Sequence, residues 1–132
     1  MSILRSILAV VAGLVTVGLL STISDQAMVH LHYFPPLDQY NAFSTEMLVV
    51  ATLYRCAEAV LAGAITAWLA PARPMLHALI LGAIGTAVAL AGAILTWRLG
   101  THWYPIALTV SAVPCTLLGG RLAGAGRGSR IV

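Results

Sequence analysis

Arg55 and Glu58 stand three residues apart in a stretch, Met47 to Ala70, that carries no other charge. Residues at i and i+3 share a helical face, and Thr52, Ala62 and Thr66 continue that face into one polar stripe. An ionisable group at mid-membrane costs at least about 2.5–3.5 kcal/mol on insertion scales, so each asks for a partner or a task. A stripe of this kind faces the interior of a bundle or a contact between subunits. Two chemistries are open to it: an internal ion pair that fixes packing, or a polar site for a substrate, ion or proton. The adjacency of the opposite charge favours the ion pair.

Depth can be counted along the helix. Arg55 follows Glu46 by nine residues, roughly 13 Å at 1.5 Å per residue. The same count on the other apolar runs brings Thr86 near the level of Glu58 and Ser111 near that of Arg55. Arg55, Glu58, Thr86 and Ser111 are therefore expected to share one layer. Asp25, at the end of the first apolar run, is a second candidate partner for Arg55, about 12 Å above its backbone by helical rise. Side chains lean toward their own helix N-terminus, so Arg55 snorkels toward Asp25. Glu58 is the easier reach.

The remaining candidates lie in the connections. His30, His32, Asp38 and Glu46 fall between the first two runs, and His102 between the last two. His-x-His with carboxylates can ligate zinc, and Asp25, His30 and His102 could gather on one outer face. Residues at i and i+2 point to different helical faces, however, and the spacing matches no closed zinc pattern. Neither a metal nor a cofactor is expected. Cys56 and Cys115 fall at similar depth without a Cys-x-x-Cys motif, which suits buried apolar thiols better than a redox centre.

The composition says what must position these residues. Of 132 residues 60% are hydrophobic and 8% charged, with a net charge of +3, where a soluble domain carries roughly a quarter charged residues. A disordered chain needs the reverse balance. A soluble basic nucleic-acid binder would lack the charge to solvate its surface, and a soluble globule would expose large apolar patches. The class implied is an integral membrane protein with the lipid bilayer as its surroundings and no nucleic-acid partner.

A bilayer core takes about 20 apolar helical residues to cross. Four stretches qualify, at about 4–24, 46–70, 75–97 and 103–120. The fold expected is all-α, a transmembrane four-helix bundle running up-down-up-down as a single domain over 1–120. Residues 121–132 read as a basic, flexible cytoplasmic tail drawn to anionic head groups. Pro35-Pro36 ends the first helix or an extension of it, Ser44 can cap the second with Glu46 in its first turn, and Pro71 and Pro74 bracket a tight turn. Leu99-Gly100 separates the last two spans. Arg5, Arg73, Arg121, Arg127 and Arg130 all fall on one side and Arg98 on the other, which puts both termini in the cytoplasm. The first run resembles a signal peptide but is long for one and lacks an A-x-A site, so it is expected to stay as a helix.

Small residues at four-residue spacing mark close helix contacts: Ala9 and Gly13; Ala59, Gly63 and Ala67; Gly85, Ala89 and Ala93. The chain resembles a type of small, uncharacterised bacterial inner-membrane protein with four spans. The residues carrying the likeness are Asp25, Phe34-Pro35-Pro36, Tyr54-Arg55, Trp103-Tyr104-Pro105-Ile106 and Gly119-Gly120-Arg121-Leu122. That resemblance implies fold and location and attaches no activity. Small multidrug-resistance exporters also have four short spans, but they depend on a Glu in the first helix, where this chain has none. Membrane-bound glutathione-type transferases share the span count, but their Arg- and Asn-bearing helix pattern is not matched.

Three functions remain, in order of expectation. The first is a structural or accessory membrane bundle. The second is a small transporter or channel, a homo-oligomer, working through Arg55 and Glu58 on an unnamed small molecule or ion. The third is a membrane enzyme using the outer His and Asp residues. A water-reachable cavity ending at Arg55 would favour the second, and a dry, closed ion pair the first.

Overall fold

The computed structural model describes residues 2–36, 42–98 and 102–127. Asp38, Leu99-Gly100 and the tail from 128 onward lie outside the described residues. Four helices follow in order: α1 Ser2–His30, α2 Thr45–Leu69, α3 Pro74–Thr96 and α4 Trp103–Arg127. Each contains a stretch long and apolar enough to cross a bilayer, and the chain is a multi-pass membrane protein. In lipid no water satisfies backbone polar groups, so each span must close its hydrogen bonds internally, as a helix does.

Two helices run further than the composition alone suggested. The first does not stop at 24 but continues to His30. It then ends in a Schellman turn: His32 takes a left-handed conformation (φ 61°), its N–H bonds Val29 O at 3.0 Å and the Tyr33 N–H bonds Met28 O at 3.0 Å. Glycine usually fills that position, and His is among the few other residues that tolerate it. At 29 residues α1 is about 43 Å long against a hydrocarbon core of about 30 Å. The last helix does not stop at 120 either, and runs to Arg127. Gly119-Gly120, which mimic a helix end in sequence, instead sit within α4 and are buried against α2 and α3. The flexible tail expected from 121 is helical as far as the described residues reach.

The other boundaries follow the expected chemistry. Ser44 Oγ accepts from Met47 N at 3.3 Å and Glu46 lies in the first turn of α2, where a carboxylate suits the helix dipole. Pro74 opens α3 behind Arg73, whose φ is 50°. His77 donates from Nδ1 to Arg73 O at 2.9 Å, which leaves Nε2 to accept from Ser6 Oγ at 2.8 Å. That bond ties the start of α3 to the start of α1. Pro114 sits inside α4, a placement that membrane helices tolerate.

Residue pairings give the directions. Asp25 and Ser24 meet Arg55 and Glu58, while Ala9 meets Thr66, so α1 and α2 are antiparallel. Arg55 meets Tyr104 and Gly63 meets Thr116, so α2 and α4 are parallel. Gly82 meets Thr116 and Gly120 meets Ala78, so α3 and α4 are antiparallel. The up-down-up-down bundle is thus present. Its layout is not a simple ring, though, because α4 packs most extensively on α2 and then on α3.

Small residues make that wedge feasible. A Cβ placed on Gly119 would lie 2.8 Å from Ala64 N, and one on Gly63 would lie 2.7 Å from Thr116 Cα. Neither position accepts a side chain. The buried set is largely alanine (Ala9, Ala51, Ala62, Ala67, Ala78, Ala93), while Ile7, Leu8, Val11, Val15, Leu19 and Ile23 of α1 are exposed. Lipid solvates large apolar groups as well as a core does, so close backbone packing takes the interior. Of the expected small stripes, Gly85 is the loose one, with Ala112 Cβ 3.7 Å from where its own Cβ would be.

Candidate polar site at one end of the bundle

The extension of α1 decides how Arg55 is partnered. Because the helix carries on to His30, Asp25 stands within it and not at its edge, and antiparallel packing brings it level with Arg55 of α2. The guanidinium leans toward the N-terminus of α2, which is where Asp25 lies. Arg55 Nη2 donates to Asp25 Oδ2 at 2.5 Å, and Arg55 Nε donates to the Tyr104 hydroxyl at 2.8 Å. The second Asp25 oxygen accepts from the Tyr54 hydroxyl, and the Tyr54 ring lies 5.9 Å from the guanidinium carbon.

Glu58 is therefore not the partner of Arg55, contrary to the easier reach expected from adjacency. Its two oxygens accept from Ser21 Oγ at 3.0 Å and Ser24 Oγ at 2.5 Å. Ser21, Ser24 and Asp25 fall at i, i+3 and i+4 on one face of α1, so both acidic groups are satisfied by the same pair of helices. Glu58 is buried, 7% exposed.

Thr86 and Ser111 are not joined to the charged groups by hydrogen bonds. Thr86 Oγ1 donates to Gly82 O at 2.9 Å and Ser111 Oγ to Leu108 O at 3.3 Å. Both hydroxyls bond their own helix and neither bonds Arg55 or Glu58. Of the stripe on α2, Thr52 likewise bonds its own helix at Leu48 O, 2.8 Å. Thr66 crosses to α1 and donates to Ala9 O at 2.9 Å.

The outer histidines do not gather around Asp25. His30 is exposed at the end of α1. His102 stacks on Trp97, with ring centroids 3.7 Å apart and planes 6° from parallel, and bonds the Trp97 carbonyl at 2.9 Å. Among the described residues no group of three His, Cys, Asp or Glu side chains could hold a metal ion. Cys56 and Cys115 are free, half-buried thiols on α2 and α4.

Above the ion pair the helices part. A cavity of about 430 Å³ occupies this end of the bundle, lined by Asp25 from α1, by Leu48, Ala51 and Arg55 from α2, by Ala89, Gly92, Ala93 and Thr96 from α3, and by Tyr104, Pro105 and Leu108 from α4. Phe34 and Phe43 of the α1–α2 connection complete it, their rings 5.2 Å apart and edge to face. Toward the other end, the Gly63–Thr116 and Gly119–Val60 approaches close the bundle. The polar floor can donate hydrogen bonds; the walls offer apolar contact.

Tyr104, Tyr54, Ser21 and Ser24 were not identified from sequence as parts of this site. The serines carried a usable signal, since their spacing with Asp25 puts three polar groups on one face of an otherwise apolar helix. Tyr104 carried none, since aromatic residues are enriched at membrane borders whether or not they serve a site. Compared with protein-family models, with curated proteins and with solved structures, the chain matches none.

Proposed function

We propose that the chain is a small-molecule-binding membrane protein of the transporter class, whose ligand occupies the cavity ending on Arg55, Asp25 and Tyr104. One observation carries this reading. A purely structural ion pair is expected to be packed dry, but here Arg55 faces a space of about 430 Å³, within the roughly 300–1,000 Å³ of small-molecule sites. Intramembrane charges are costly, and those that face a cavity mark substrate or ion pathways. The close helix contacts below Glu58 suit a cup with one mouth better than an open pore. The site differs from the expected pairing in that Asp25, not Glu58, completes it.

The location belongs to the same reading. The placement of five Arg at one side of the spans against one at the other, together with the resemblance to bacterial inner-membrane proteins, supports the cytoplasmic membrane of a bacterium with both termini inside. The cavity then opens on the periplasmic side. Reporter fusions at the two termini should both read cytoplasmic, and a periplasmic C-terminus would reverse the orientation.

Filling the cavity tests the binding reading. A ligand at a hundred times its Kd stabilises the folded state by about 2.7 kcal/mol, so a library screened by thermal unfolding of the purified protein should contain stabilisers. Ala93→Phe and Thr96→Trp, at the wall and rim of the cavity, should abolish their effect while the protein stays folded. Identical responses in wild type and both variants would refute the site.

A further inference from the structure

Resting on that reading, the geometry points to the class of ligand: we infer a neutral, mainly apolar molecule bearing a carbonyl-type hydrogen-bond acceptor. The argument begins with a count of donors and acceptors at the polar floor. A guanidinium has five N–H groups. Nε–H goes to Tyr104 and one Nη2–H to Asp25. The two on Nη1 and the second on Nη2 meet no acceptor among the described residues, and the Arg55 side chain keeps 27% exposure where it lines the cavity. The Tyr104 hydroxyl accepts from Arg55, and its own proton meets no acceptor among the described residues. Each Asp25 oxygen already accepts one bond, from Tyr54 and from Arg55, while three guanidinium N–H groups and one hydroxyl stand free among the described residues. The floor has donors to give, so the ligand must bring acceptors.

Charge balance sets its ionisation. The one cation at the floor is matched by Asp25, and Glu58 one helical turn deeper adds a further carboxyl held by Ser21 and Ser24. An anionic ligand would set another negative charge against a guanidinium already neutralised. A cationic ligand would face the free N–H groups of Arg55 head on. A neutral acceptor meets neither penalty, and a carbonyl oxygen offers two lone pairs to the donors that Arg55 and Tyr104 bring to the cavity. The body of the molecule must suit Phe34, Phe43, Leu48, Ala93 and Leu108, which supply apolar and aromatic surface with no further charge.

Four probes of one shape separate these terms: benzophenone (neutral acceptor), diphenylmethane (no acceptor), diphenylacetate (anion) and benzhydrylamine (cation). Their binding is measured by equilibrium dialysis against the purified full chain in detergent micelles, with empty micelles subtracted. Benzophenone should bind saturably and at least tenfold more tightly than each of the other three. Tyr104→Phe should weaken it about tenfold and leave diphenylmethane unchanged. Carbonyl-labelled benzophenone should show its infrared stretch lowered on binding to wild type, a readout that needs no variant. On irradiation it should attach to peptides containing Phe34, Phe43 or Leu108. Tighter binding of the acid or the amine, or equal binding of diphenylmethane, would overturn the ligand class and leave the cavity standing as a site. Attachment spread evenly over lipid-facing residues, with no saturable binding of any probe, would overturn the cavity reading as well.

Discussion

Arg55 and Asp25 are thirty residues apart in the chain and 2.5 Å apart in space, with Tyr104 accepting from the Nε–H of the same guanidinium. One side chain thereby joins three helices. Glu58, its neighbour on α2, satisfies both of its oxygens from α1 instead.

This division predicts unequal costs for the two carboxyls. Asp25→Asn should lower stability by about 3 kcal/mol, because it leaves a charge in the membrane without its counter-ion. Glu58→Gln keeps an acceptor for the serines and should cost only about 1 kcal/mol. A double-mutant cycle in detergent, read by chemical unfolding, should give a larger coupling for Arg55 with Asp25 than with Glu58. The reverse order would mean the pairing is wrong.

The glycines separate in the same kind of assay. Gly119→Ala drives a methyl into the backbone of α2 and should lose about 2–3 kcal/mol. Gly92→Ala meets open space and should gain up to about 1 kcal/mol from helix propensity. Melting temperatures of the two variants moving together would argue against the α2–α4 crossing.

His32 offers a third contrast. A left-handed conformation costs a non-glycine residue roughly 1–2 kcal/mol, so His32→Gly should be neutral or mildly stabilising. A clear loss of stability would show that the imidazole does more than end a helix.

The spans were legible because apolar length and helical geometry leave little choice in lipid. Their ends were not, and the reasons are local. His32 occupies a place where glycine would have signalled a stop, and Gly119-Gly120 signal a stop where the chain needs only close approach. Arg55 was legible as a charge requiring explanation. Its partner was not, since Asp25 and Glu58 both lay within reach and the choice turned on how far α1 extends. Thr86 and Ser111 make no bond to Arg55 or Glu58 for a related reason: a hydroxyl in a helix can bond its own preceding turn, and rise per residue says nothing of which it prefers.

The clasp between α1 and α2 also bears on biogenesis. A ribosome makes the first helix before the second, so Asp25 leaves it ahead of Arg55. The arginine then enters beside a waiting counter-charge, which offsets the roughly 2.5–3.5 kcal/mol that an isolated one would cost. Synthesis order and helical hairpin together let a cation be threaded into oil.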